Sequence, residues 1–169
     1  LLQKALAIQR ALGNNDGIAK CLLNLSFVKS GDERKVLLNN ALELFKQTKN
    51  IQGQGQVILS FAMFYYLGND VSRSLQYVHN ARTLIQQSSD SVWLALCYTT
   101  ESATYYINAE YAKAIECAEV ALKIALATRT SGIIDGAYIS LANVYNTTGN
   151  HTQAQQCYFN ALKMAEKEG

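Results

Sequence analysis

The sequence predicts an all-α fold, a solenoid of antiparallel helix hairpins. Three observations carry this. Apolar residues step by three and four along the chain, the helical period, and never alternate for a strand's length. The dipeptide Ala161-Leu162 returns as Ala121-Leu122, Ala81-Arg82 and Ala41-Leu42, at intervals of 40 residues. None of the 169 residues is proline, so no helical pattern meets its strongest breaker.

The repeat sets the elements in order. An orphan helix over 1–12 comes first, with Ala5-Leu6 as its dipeptide. Four hairpin units follow at about 16–50, 53–88, 91–128 and 132–168, bounded by Asn14, Asn50, Ser89 and Gly132. The first unit matches least: Leu23, Phe27 and Gly31 fit only with a shortened second helix. The last two units match best, with eight identities in 29 positions between 97–125 and 137–165. In the last unit one stripe is Tyr138, Leu141, Ala142 and Tyr145, and the second is Ala154, Cys157, Tyr158, Ala161, Leu162 and Ala165. Between them, Gly149 suits a left-handed C-cap and Asn150 or Thr152 the next N-cap. Ala142, Ala154 and Ala161 stand where helices cross closely, and Tyr138 and Tyr145 fill the space between units.

Composition narrows the function. Apolar residues make up 49% and charged residues 17%, which excludes a disordered chain. The net charge of +2 is too balanced for a nucleic-acid binder, and Arg34-Lys35 is the one adjacent basic pair that stands out. Residues 50–69 and 136–162 contain no charged side chain. The longest apolar run, Val57 to Leu67, is broken by Ser60 and falls short of the roughly 18 residues a membrane span needs. Cys21, Cys97, Cys117 and Cys157 form neither a CxxC pair nor a metal-ligand set, and read as reduced, buried small hydrophobes. The expected location is cytoplasmic, with no leader, no metal and no cofactor. The chain reads as a piece of a larger protein.

The last unit spells Tyr138-x2-Leu141-Ala142-x2-Tyr145, then Ala154-x3-Tyr158, then Ala161. This resembles the tetratricopeptide pattern W-x2-L-G-x2-Y followed by A-x3-F. Tyr98-x2-Glu101-Ser102-x2-Tyr105 and Ile58-x2-Phe61-Ala62-x2-Tyr65 open the two preceding units in the same register. The resemblance covers essentially the whole chain and implies a right-handed α-solenoid. The family's late proline is missing and the period is 40 rather than 34. In both respects the chain is similar to the longer-repeat arrays of kinesin light chains and bacterial multidomain regulators, and longer second helices would explain the period.

In related solenoids a stripe on the first helix of each unit lines the concave surface. Here it comprises Gln56, Leu59, Ser60, Met63, Tyr66 and Leu67, then Thr99, Thr100, Ala103, Tyr106 and Ile107, then Ile139, Ser140, Asn143, Asn146 and Thr147. No charge appears among them, so the Lys and Arg that grip a terminal carboxylate in some relatives are missing. An extended peptide or helix with apolar anchors suits this stripe, with Asn143 and Asn146 offered to its backbone. The competing reading packs this face on another domain or a second copy, and the uncapped ends could self-associate.

Candidates for chemistry are few. Glu101 stands where adjacent units have Phe61 and Leu141: it is a candidate buried polar switch or ligand contact, the competing reading being a carboxylate satisfied by nearby Tyr or Thr hydroxyls or a locally rotated helix. His79 and His151 have no catalytic constellation, and no catalytic residue is assigned. Gly53-Gln54-Gly55 sets the turn into a helix, and Asp32-Glu33-Arg34-Lys35 reads as a solvated first turn. The expected function is a non-catalytic scaffold binding a protein or peptide, not an enzyme. The alternative is a ligand- or peptide-sensing relay segment of a larger bacterial regulator.

Overall fold

The computed structural model describes residues 1–166; residues 167 and 168, the end of the expected last unit, lie outside them. Among the described residues all regular structure is helical: α1 (Leu2–Ala11), α2 (Asn15–Ser26), α3 (Gly31–Gln47), α4 (Ile51–Leu67), α5 (Val71–Ser88), α6 (Ser91–Ile107), α7 (Tyr111–Thr128), α8 (Ser131–Thr147) and α9 (His151–Glu166). Each helix packs on the next, so α2/α3, α4/α5, α6/α7 and α8/α9 form hairpins and α1 stands before them. The first helices also touch one another, α2 with α4, α4 with α6 and α6 with α8, whereas α3, α5, α7 and α9 do not. The first helices therefore form the inner rim of the array.

Turns are made without proline. Lys49, Asn69, Ser89, Ala109, Arg129 and Gly149 all have positive φ, between 54° and 82°. At five of these six sites the next residue's N–H reaches the carbonyl five residues back, as from Asn50 to Phe45 and from Asn150 to Tyr145. This six-residue closure ends one helix and aims the chain back along it. Asn14, Asn50, Asp70 and Asp90 then cap the following helices, each side chain accepting the backbone N–H three residues on. Gly132 lies inside α8, whose N-cap is Thr130, so the boundary before the last unit falls at Arg129 and Thr130.

The 40-residue period comes from both helices of a unit, since α4, α6 and α8 have 17 residues and α5 and α7 have 18. In the first unit it is the first helix that is short: α2 has 12 residues and α3 has 17. The residues are lost from the N-terminal end of α2, which begins at Asn15, 36 residues before α4, while α3 begins at Gly31, 40 before α5.

The core runs between the two layers of helices. Ala41, Ala81 and Ala121 are fully enclosed, as are Ala114, Ala118 and Ala142. The side chains that meet differ from one junction between units to the next. Phe45 lies against Gly53, where an added Cβ would come within 2.5 Å of the ring. At the next junction the same two places hold Ile85 and Trp93, in one cluster, and at the third Ala125 and Ile133, in another. Gly53 and Gly55 thus lie inside α4 and set close approach rather than a turn. A Cβ on Gly55 would sit 2.7 Å from Ile85 Cγ1. Alanine gains about 1 kcal/mol over glycine in a helix interior, but overpacking costs about 1–3 kcal/mol. Gly55→Ala should therefore lower the midpoint of thermal unfolding, and a raised midpoint would show that the helices separate freely here.

Candidate binding groove

The inner rim carries a hollow of about 260 Å³ between α6 and α8, closed at one side by α4. Seven of the expected groove residues line it: Tyr66, Ala103, Tyr106, Ile107, Ile139, Ser140 and Asn143, together with Ser102. None is charged. Tyr106 is tied across to α8 by its hydroxyl, 3.0 Å from Thr147 Oγ1. This bond fixes the ring over the hollow from the far side.

The amides at the α8 end are already half engaged. The Tyr158 hydroxyl donates to Asn143 Oδ1 at 2.7 Å, and His151 Nδ1 lies 3.1 Å from Asn146 Oδ1. Neither side-chain amide nitrogen donates to a partner among the described residues. Tyr158 and His151 were not expected at the groove, because both lie on the second helix of the unit. Ser102 was also missed. It is fully buried, and its hydroxyl donates to Ala114 O at 2.8 Å, which pins α6 to α7 beneath the hollow.

Three expected groove residues belong to the core instead. Leu59 is fully buried in the cluster with Val78, Ile85 and Cys97. Ser60 is fully buried and donates to Gln56 O, and Thr100 is 8% exposed and donates to Leu96 O. They point sideways toward the neighbouring helices, which cross too closely for the stripe to be as wide as a helical wheel drawn alone. Gln56, Met63 and Thr99 are half-buried, and Leu67, Asn146 and Thr147 are exposed; these six flank the hollow without lining it.

Glu101 is buried, as its position implies, but its partner is a cation and not a hydroxyl. Arg82 Nη1 donates to Glu101 Oε2 at 2.7 Å, and the Arg82 guanidinium lies 5.2 Å from the Tyr98 ring centroid. Arg82 is the one exception to the repeated Ala-Leu dipeptide, so two departures from the repeat meet as one ion pair. Burial pushes the Glu101 carboxyl above its usual range, and Arg82 pulls it partly back. Burial also pushes the Cys97 and Cys117 thiols up to about 12, so both are protonated at neutral pH. All four cysteines are free; only Cys97 is fully buried, and the other three are half-buried. Among the described residues, no group of His, Cys, Asp and Glu could hold a metal ion, and no helix is long and apolar enough to cross a membrane.

No family model matches this chain, and no curated protein does. Solved structures do. BtubC (BKLC) from P. vanneervenii superposes with a TM-score of 0.72 at 16% identity, over 92% of this chain and 66% of that one. The Rap protein in its complex with Competence and Sporulation Factor gives 0.75 at 15% identity, over 98% of this chain and 43% of that one. The chain thus spans less than two thirds of either neighbour's length. The fold they share with it is the tetratricopeptide-like helical repeat solenoid.

Proposed function

We propose that the chain is a non-catalytic scaffold that binds a protein or peptide segment in the uncharged hollow of its inner rim. The observation that supports this most is the convergence of Tyr66, Tyr106, Ile107 and Ile139, from three separate helices, around one opening. Aromatic anchors seated in a desolvated pocket carry most of the energy in such contacts. The free amide nitrogens of Asn143 and Asn146 supply donors to the ligand backbone at one end. The Rap protein, which shares the fold, was solved in complex with Competence and Sporulation Factor, so a solenoid of this kind does hold a binding partner. That structure also favours a second reading, a relay segment within a larger regulator, because the chain spans only 43% of it.

The test is a displayed peptide library selected against the chain, followed by affinity measurements on enriched peptides. Tyr106→Ala and Tyr66→Ala should each weaken binding by about tenfold to a hundredfold, the range of an interface hot spot. Enriched peptides that bind both variants as tightly as the parent would exclude the hollow as the site.

A further inference from the structure

Arg34 is out of keeping with its place in the repeat. The equivalent positions hold Ser74, Ala114 and Ala154, small side chains where the second helix of a hairpin meets its neighbours. Here an arginine fills the space, and the residue is only 7% exposed, so Arg34 is withdrawn from a first turn whose Asp32 and Glu33 stay exposed as the sequence implies. Its Cζ lies 5.8 Å from the Phe27 ring centroid and 5.9 Å from that of Phe64. Two aromatic faces thus enclose it, one from the end of α2 and one from α4.

The turn between α2 and α3 makes this enclosure. In the other hairpins the positive-φ residue is Asn69, Ala109 or Gly149, whereas here it is Gly31, two residues later than the equivalent place. The altered path sets Phe27, the C-cap of α2, over the arginine.

The Arg34 Nε is buried without a hydrogen bond. The two acids that precede it in the chain turn elsewhere: Asp32 faces Lys35 at 3.8 Å, and Glu33 pairs with Lys29 at 3.0 Å. Among the described residues no carboxylate lies within ion-pair reach of Arg34. Ring faces attract a cation but accept none of its in-plane N–H bonds. A charged donor removed from water without an acceptor is costly, and the natural complement to this planar fork is a bidentate oxyanion. A second cation stands beside it, with Lys35 Nζ 5.1 Å from the same Phe64 ring.

We infer that Arg34 and Lys35, framed by Phe27 and Phe64, bind an oxyanion, the carboxylate or phosphoryl group of a ligand, at the turn edge of the first hairpin. This site is separate from the hollow between α6 and α8 and does not rest on the groove reading. The phenyl rings exclude water from the ion pair once formed, and Lys35 adds a second positive charge.

The test follows the side-chain Nε–H resonance of Arg34 in the full chain during titration with sodium phosphate, sodium acetate or sodium chloride at matched ionic strength. The resonance is assigned by its loss in Arg34→Met. A saturable shift is expected with phosphate or acetate and not with chloride. Saturation with phosphate alone assigns a phosphoryl group, and saturation with acetate assigns a carboxylate. The same anion should raise the thermal midpoint of the parent and leave that of Arg34→Met unmoved. Lys35→Ala, on a half-exposed residue, should keep the fold and weaken the anion's apparent affinity several-fold. A shift that stays linear and equals that of chloride would overturn the site, as would an unchanged anion-dependent midpoint rise in Arg34→Met.

Discussion

Glu101→Leu is expected to destabilise the chain by about 3 kcal/mol, although apolar residues fill this place in the adjacent units. The substitution leaves Arg82 half-buried with no counter-charge, and that uncompensated cation outweighs the apolar surface gained. Arg82→Leu should likewise cost stability, by stranding the Glu101 carboxylate. The double variant should behave oppositely. It rebuilds the apolar contact that Leu42 and Phe61 make within one cluster, and should match or exceed the parent by about 1 kcal/mol or more. Chemical denaturation of the four proteins measures the coupling directly. Additive single effects would show that the two charges ignore each other despite their 2.7 Å separation. The pair also sets a pH dependence. Burial raises the Glu101 carboxyl above the usual 4.5, so the folded chain holds that proton more tightly than the unfolded chain does. Its contribution is therefore fully present below 4.5 and is lost as pH rises through the raised value. Glu101→Gln should flatten the stability profile in that window and run parallel to the parent above it.

Phe45→Ala should cost about 3–5 kcal/mol, the range for removing a fully enclosed aromatic ring. The ring joins the first unit to the second, and Gly53 offers no side chain to fill the void left behind. In an array where units contact mainly their neighbours, that loss should stay local. Amide exchange should therefore accelerate in α2 and α3 well before α8 and α9. Uniform acceleration along the chain would mean that the solenoid unfolds as one block.

Much of this was legible in the residues. The three-and-four stepping and the 40-residue return point to the all-α helical repeat that the structure has, because each unit solves the same packing problem with similar side chains. Asn14 and Asn50 as unit boundaries, where each proves to cap the next helix, and Gly149 with positive φ, follow from local backbone chemistry that needs no tertiary context. What escaped depends on which helices meet. Arg82 and Glu101 each look anomalous alone; only the crossing of α5 and α6 makes them a pair. Leu59 and Ser60 sit on the right side of an isolated helix for a groove, but the approach of α5 and α6 covers them. Gly53 and Gly55 look like a turn in a string of letters, and are helix because Phe45 and Ile85 need the room. The enclosure of Arg34 rests on a turn whose path differs from the other three, which no pairing of charges in the sequence reveals.

The different pair of residues at each junction limits how such an array can be rearranged. Phe45 faces Gly53, while the two later junctions bring Ile85 together with Trp93 and Ala125 with Ile133. Each seam is keyed to its own pair of units, so whole repeats are not interchangeable parts. Excising the segment 53–92 would drive Phe45 into Trp93, and excising 93–132 would press Ile85 against Ile133. The first hybrid is overfilled, because Trp93 takes the place of a glycine, and the second leaves Ile85 short of the indole it packs with and Ile133 against a larger neighbour than Ala125. Removing or exchanging a repeat therefore remakes a seam as well as shortening the array.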